Sequence, residues 1–290
     1  MMKFTQAIRN FFANENINFL LTNRIPRHAL TVFMGWFSKI EQAWVRDLSI
    51  RVWRLFSDLD LSEAKKKQFT SLHDCFIREL REGARPINQD ESYLVSPCDG
   101  IVGECGSILN GQVFQAKGFP YQIAELLGQH VNHSSLEGGV YVTLRLTSSM
   151  YHRFHAPYHG KIDRIVYHSG DTWNVNPIAL RRIEKLFCMN ERATISMQIG
   201  MSRQRIYIVP VAAILVASIR IHDLGIVLNS SYTGTCTLEC DINCSKGQEL
   251  GWFEHGSTII VFAPPGFALR PDIHFGQKIK MGTALFQMPH

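Results

Sequence analysis

Apolar residues in this chain follow two different periods, and the change falls near residue 93. Before it they recur every three to four residues. Ile40, Trp44, Leu48, Val52 and Leu55 share one helical face, with Lys39, Arg46, Arg51 and Arg54 around the stripe. Phe4, Ile8, Phe11 and Phe12 make a shorter stripe of the same kind, and Pro26 interrupts the region. Residues 61–92 read as a second helical region, ended by Gly83 and Pro86. From residue 93 the pattern becomes that of strands. Tyr93 to Ser96 leads through Pro97-Cys98-Asp99-Gly100 into Ile101-Val102. Val140 to Leu146 alternates, with Val140, Val142, Leu144 and Leu146 on one face and Tyr141, Thr143 and Arg145 on the other. Asn176-Pro177 opens a short helix running to Phe187. Further strands are predicted over Ile206–Val216, Thr235–Leu238 and Ile259–Phe262. The expected fold is α+β: a helical N-terminal region packed on a mainly antiparallel β body, dividing into residues 1–60 and 61–290.

Charge separates the same two regions. Residues 1–56 hold eight Lys/Arg against three Asp/Glu, which accounts for the whole net charge of +5. A basic amphipathic start ahead of a neutral body has two readings. The stripes can dock on the core, or they can lie in the headgroup layer of an anionic membrane, which Trp36, Trp44 and Trp53 favour. Nucleic acid is not expected, since no base-reading motif accompanies the cations. No signal peptide is read at the start, and the uncharged run His28 to Ser38 is too short to span a bilayer. Seven cysteines without paired spacing do not form a secreted disulfide framework, and no metal is assigned.

Three stretches carry more polar chemistry than their structural roles need. Asp99 sits in a Pro-Cys-Asp-Gly turn, an ordinary place for an Asp. Tyr151-His152-Arg153-Phe154-His155 puts two histidines beside an Arg directly after a strand, with no third metal ligand in the segment. Gly256-Ser257 precedes the β-forming run Ile259 to Phe262. There a hydroxyl can reach back to the preceding carbonyl through a five-membered ring, the geometry of an N→O acyl shift. A Gly-Ser turn leading into a strand is the plainer reading of that dipeptide.

In order along the chain come Phe76-Ile77-Arg78-Glu79-Leu80-Arg81 with Ala84-Arg85-Pro86-Ile87, Ser96-Pro97-Cys98-Asp99-Gly100, and Tyr151-His152-Arg153-Phe154-His155-Ala156-Pro157. Val175-Asn176-Pro177, Asn190-Glu191-Arg192 and Gly256-Ser257-Thr258 follow. This succession, from about Phe69 to Phe286, resembles the pyruvoyl-dependent phosphatidylserine decarboxylases in their compact bacterial form. The resemblance implies self-cleavage between Gly256 and Ser257 into a β chain (1–256) and an α chain (257–290). Ser257 would become a covalent pyruvoyl cofactor. It implies a triad of Asp99, His155 and Ser257, in which Asp99 fixes the His155 tautomer and His155 moves protons during cleavage. His152 is then the acid that protonates the product carbon after phosphatidylserine, held as a Schiff base, loses carbon dioxide. The two chains of one precursor, a homodimer and a peripheral place on the cytoplasmic face of the inner membrane complete what it implies. His255, where the family usually has an apolar residue, and Cys98 depart from the pattern. Two other functions use the same residues. One is a Ser/His/Asp lipid-ester hydrolase, which lacks a G-x-S-x-G elbow here; the other is a lipid-binding relative that never cleaves.

Overall fold

A central strand with both faces buried organises the body. The computed structural model describes residues 15–16, 19–20, 26–116, 119–129, 131–200, 204–215, 218–254 and 257–289. The stripe from Phe4 to Phe12, and His255 and Gly256, lie outside the described residues. Helices α1 (Arg27–Phe37), α2 (Ala43–Phe56) and α3 (Leu72–Phe76) come first. They lead into β1 (Tyr93–Val95), β2 (Gly100–Ser107), β3 (Gln112–Ala116), β4 (Phe119–Gln122) and α4 (Ile123–Leu127). Next are β5 (Val140–Leu146), β6 (Arg153–His155), β7 (Gly160–His168), α5 (Pro177–Leu180) and α6 (Leu186–Met189). After them run β8 (Arg192–Ile199), β9 (Gln204–Ala212), β10 (Ile219–Ile221), β11 (Ile226–Leu228) and β12 (Thr237–Cys244). The chain closes with β13 (Glu249–Phe253), β14 (Ser257–Ala263), β15 (Ala268–Leu269), β16 (Lys278–Ile279) and β17 (Ala284–Gln287).

An eight-stranded sheet has the order β12-β7-β8-β9-β14-β5-β2-β16, and a four-stranded sheet the order β11-β10-β13-β6. Every pairing between these strands is antiparallel. Leu144, Ile208, Ile259 and Val261 on one face of the large sheet pack with Phe154, Ile219 and Phe253 from the small one. Its other face packs Tyr141, Tyr207, Ile260 and Phe262 against Leu126, Leu127, Leu180 and Phe187. All seven residues of β14 are therefore buried. Each large side chain so placed contributes about 1.5–3 kcal/mol over its exposed state. This explains why Ile259 to Phe262 reads as a continuous apolar run. It also explains why Tyr141 and Thr143, on the second face of β5, are buried too.

The α+β reading holds, while two helical readings are corrected. Over residues 61–92 only α3 is a helix, capped by Ser71 accepting from the Asp74 amide at 3.1 Å. The flanking backbone instead forms a bridge: the Lys65 amide donates to Glu79 O and the Arg81 amide to Glu63 O, both at 2.9 Å. The helix from Asn176 is split into α5 and α6. Lys185 at φ +54° breaks it, and the Gln115 amide takes the Leu180 and Ile183 carbonyls at 3.0 and 2.8 Å.

α1 is tied to the body by Arg27, which donates twice to Asp171 at 3.1 and 2.5 Å and stacks on Trp173 at 3.7 Å. α2 docks through Ile50 and Trp53 against Ala64, Phe69 and Cys75. Its sequence-predicted stripe does not dock: Trp44 is 72% exposed and Leu48 56%. Among the described residues no helix is long and apolar enough to cross a membrane.

Candidate active site

Ser257 opens β14 between Leu146 of β5 and Ala212 of β9. It is fully buried, and its hydroxyl has no hydrogen-bond partner among the described residues. Such an orphaned group costs roughly 1–3 kcal/mol, so its retention calls for an explanation beyond folding. Ala212 is held from behind by Asn190, whose amide donates to Ala212 O at 2.8 Å and to Trp173 O at 2.9 Å. The motif residues Asn190-Glu191-Arg192 thus support the strand that supports Ser257.

β13 belongs to the small sheet and β14, which begins at Ser257, to the large one. β6 runs beside β13, which brings the two-histidine motif to this junction. The Phe253 amide donates to His152 O at 3.0 Å, whereas His155 lies opposite Glu249. At about 3.3 Å per residue, His152 is at the junction end of the strand and His155 roughly 10 Å back along it. Glu254 has Lys39 Nζ and His73 Nε2 each 3.9 Å away.

His152 is fully buried, with Nδ1 bonded to Met150 O at 2.9 Å and the Phe76 ring 4.0 Å from its own. His155 Nδ1 donates to Gly247 O at 2.9 Å, which leaves Nε2 to accept from the Tyr151 hydroxyl at 3.0 Å. The Gly247 carbonyl, rather than Asp99, sets this tautomer. Burial is the main cause that holds the His155 pKa below the usual imidazole value. The bond to Gly247 and the charges of Glu249 and Asp99 oppose burial without overcoming it.

Asp99 is bound by Arg85, which donates to its two oxygens at 2.7 and 2.5 Å, and by the Met281 amide at 2.9 Å. The Asp99 turn still meets the histidine motif, through the His155 amide donating to Pro97 O at 2.8 Å. Arg85 also lies over the Tyr151 ring at 6.0 Å. Asp99 and His155 are therefore neighbours joined through Arg85 and Tyr151, with no hydrogen bond between them. Among the described residues neither one bonds to the Ser257 hydroxyl.

Arg78, Arg85 and Tyr151 lie in sequence motifs that give them no role, and Glu249 lies outside those motifs. Arg78 donates to Ser149 O at 2.7 Å and Met150 O at 3.2 Å, fixing the loop before the histidines. Arg153 joins Ile77 O at 2.9 Å to Glu249 at 2.6 Å. Three cavities surround that loop. One of about 500 Å³ is apolar and lies under α1 and α2, with Phe76, Ser148 and Leu215 in its lining. A second of about 390 Å³ lies at the ends of β5 and β9 and shares Ser148 and Leu215 with the first. The third, also about 390 Å³, is polar and holds Arg78, Arg85, Asp99 and Tyr151.

A family model described as phosphatidylserine decarboxylase matches residues 72–287. Similar proteins include the phosphatidylserine decarboxylase proenzymes of Yersinia enterocolitica, Yersinia pestis and Yersinia pseudotuberculosis. Each is 30% identical over 292 residues, covering 93% of this chain and 96% of the relative. With that match spanning the β body and every motif of the site, the chain belongs to the phosphatidylserine decarboxylase family.

Proposed function

We propose that this chain is a proenzyme that cuts itself between Gly256 and Ser257 and then converts phosphatidylserine to phosphatidylethanolamine. The observation that carries the reading is the buried Ser257 hydroxyl, without a partner among the described residues, at the first position of the central strand and directly after a glycine. Its oxygen adds to the Gly256 carbonyl carbon, and the Gly256–Ser257 C–N bond opens to an ester with a free amine. Removal of the Ser257 α-proton expels the Gly256 carboxylate, and water then displaces ammonia to leave a ketone. A pyruvoyl group fits this position, because losing the hydroxyl removes a donor that no described residue satisfies.

His155 is proposed as the base of cleavage. Its depressed pKa keeps it neutral and able to accept a proton at Nε2 once the Tyr151 hydroxyl yields. Asp99 acts on it through space, favouring the protonated form. When formed, the pyruvoyl group supplies an electron sink for the pair left by the departing carboxylate. His152, whose Nδ1 donates to Met150 O, is proposed to act as an imidazolium that protonates the product carbon from Nε2 and returns to its neutral form with the proton on Nδ1. The buried setting of Ser257 favours loss of a charged carboxylate as neutral carbon dioxide.

The 1–60 region is proposed as the membrane-associating part and 61–290 as the catalytic part. Exposed Phe33, Trp36, Trp44, Leu48 and Leu55, with exposed Arg51 and Arg54 beside them, suit a peripheral helix on anionic lipid. The cytoplasmic membrane face and a homodimer follow from the family resemblance alone. Carboxyl-labelled phosphatidylserine in detergent micelles tests the activity. The wild-type chain is expected to release labelled carbon dioxide and Ser257→Ala to release none. Fatty acid release without carbon dioxide would instead identify a lipid-ester hydrolase.

A further inference from the structure

Arg145 lies in β5 directly across from Thr258, one residue beyond the proposed cut. Its side chain makes no hydrogen bond or ion pair with any described residue. It is partly buried, and burial alone pulls its pKa down, with no carboxylate among the described residues opposing it. Even partial burial of a guanidinium without an anion carries a cost, and charges that leave water are as a rule paired. Glu104 lines a smaller adjoining cavity with Arg145 yet forms no ion pair with it. By contrast, Arg85 and Arg153 of the same neighbourhood, whose side chains are largely buried, are each held by carboxylates.

Arg145 forms one wall of the cavity at the ends of β5 and β9, facing Asn174, Asn176 and Ala213. Leu146, which flanks Ser257, lines the same space. At its outer end the cavity meets the apolar cavity under α1 and α2 through Ser148 and Leu215. An apolar space, a cationic space and Ser257 therefore follow one another. A glycerophospholipid presents its groups in that order: acyl chains, phosphodiester, amine. Arg145 shares the Thr258 face of the sheet while the Ser257 side chain points to the opposite face, so the headgroup bends around the strand end. Arg145 and Thr258 form a directly opposed pair whose Cβ atoms lie about 5 Å apart, and Ser257 is the next residue along the strand.

We propose that Arg145 receives the phosphodiester of the substrate headgroup in this cavity, an assignment that rests on the function proposed above. The carboxylate is the poorer occupant. It loses its charge in the reaction, so a guanidinium on it would stabilise the ground state over the transition state. The phosphodiester keeps its charge throughout, and binding energy from such a non-reacting group can position the reacting one.

The test uses the full chain as wild type, Arg145→Gln and Arg145→Lys, with cleavage followed by intact mass. Carbon dioxide release from phosphatidylserine is measured with glycerophosphoethanolamine and glycerophosphoserine as competing inhibitors. The former carries the phosphodiester without the carboxylate. Arg145→Gln is expected to cleave as wild type and to lose roughly ten- to hundredfold in kcat/KM, mostly through KM. Its inhibition by both glycerophosphodiesters should weaken by a similar factor, and Arg145→Lys should recover part of the loss. Unchanged kcat/KM in Arg145→Gln overturns the proposal, because it makes Arg145 a solvated cation only. Weakened inhibition by glycerophosphoserine alone also overturns it, in favour of a carboxylate site. If Arg145→Gln does not cleave, Arg145→Lys carries the test, and an unchanged KM there is the contradicting result. Should wild type release no carbon dioxide, the function proposed above falls instead. Direct calorimetric binding of glycerophosphoethanolamine to wild type and Arg145→Gln then still reads the site, and equal affinities reject it.

Discussion

Glu191→Gln should change how the stability of the precursor depends on pH. Glu191 is 1% exposed; one carboxylate oxygen has no partner among the described residues, and the other meets the Tyr167 hydroxyl at only 3.3 Å. Burial, followed by the charge of Asp171, raises its pKa from 4.5 to about 7 against the opposing Tyr167 bond. A carboxyl whose folded pKa is raised binds its proton more tightly in the folded state. Stability is then highest below the unfolded value and falls as pH rises through the window from 4.5 to about 7. At about 1.4 kcal/mol per pH unit, the folded state loses about 3 kcal/mol across that window. A glutamine side chain has no proton to lose. A Ser257→Ala background keeps one chain for unfolding by denaturant. In that background, comparing stability against pH with and without the Glu191→Gln substitution isolates this group from all others. The Glu191→Gln variant should gain about 2–3 kcal/mol relative to its parent between pH 5 and pH 8. The gain should also be felt at the site, because Glu191 O accepts the Ala212 amide at 2.8 Å and Ala212 flanks Ser257. A difference that stays constant from pH 5 to pH 8 would refute the reasoning.

The two histidines should give different failures. His155→Ala is expected to leave an unbroken chain, and His152→Ala to cleave but turn over ~10²–10⁴-fold more slowly, as read by gel and by carbon dioxide release; the reverse pattern exchanges their roles. Since burial lowers the His155 pKa, wild-type self-cleavage should stay constant as pH falls through 6.5 and decline only at more acid pH, where Nε2 takes up a proton. A decline centred at or above 6.5 would show that an ordinary imidazole governs the step. Exposed Trp44 and Leu48 on α2 predict binding to vesicles rich in anionic lipid, weakened by salt and by Trp44→Ser with Leu48→Ser. Unchanged sedimentation of that double variant would remove α2 from the contact.

Much of this fold was legible along the chain. Ile259 to Phe262 and the alternation of Val140 to Leu146 identified β14 and β5, because strand burial writes directly into short-range pattern. The shortness of α3 was not legible. Backbone bridges between residues 63–65 and 79–81 replace the helix there, and such pairing leaves no periodic trace. The α2 stripe was read correctly as amphipathic, but its periodicity could not say whether it faces core or solvent. At the site, the Asp99 turn and the two-histidine motif were visible as local clusters and do meet, through Pro97 O and the His155 amide. Their immediate partners were not visible. Arg85 reaches Asp99 across fourteen residues and Gly247 reaches His155 across ninety-two, separations fixed only by sheet topology. Arg145 was noted merely as a polar position on β5; that no carboxylate among the described residues pairs with it is a property of the folded neighbourhood.

Self-cleavage at Ser257 is the claim on which the rest depends, and the intact mass of the freshly purified full chain tests it most directly. Two species are expected: residues 1–256, and residues 257–290 lighter by one ammonia than the serine-terminated peptide. Ser257→Ala should give a single uncut chain. A wild-type chain of uncut mass, or a Ser257→Ala chain that still ends at Gly256, would contradict it.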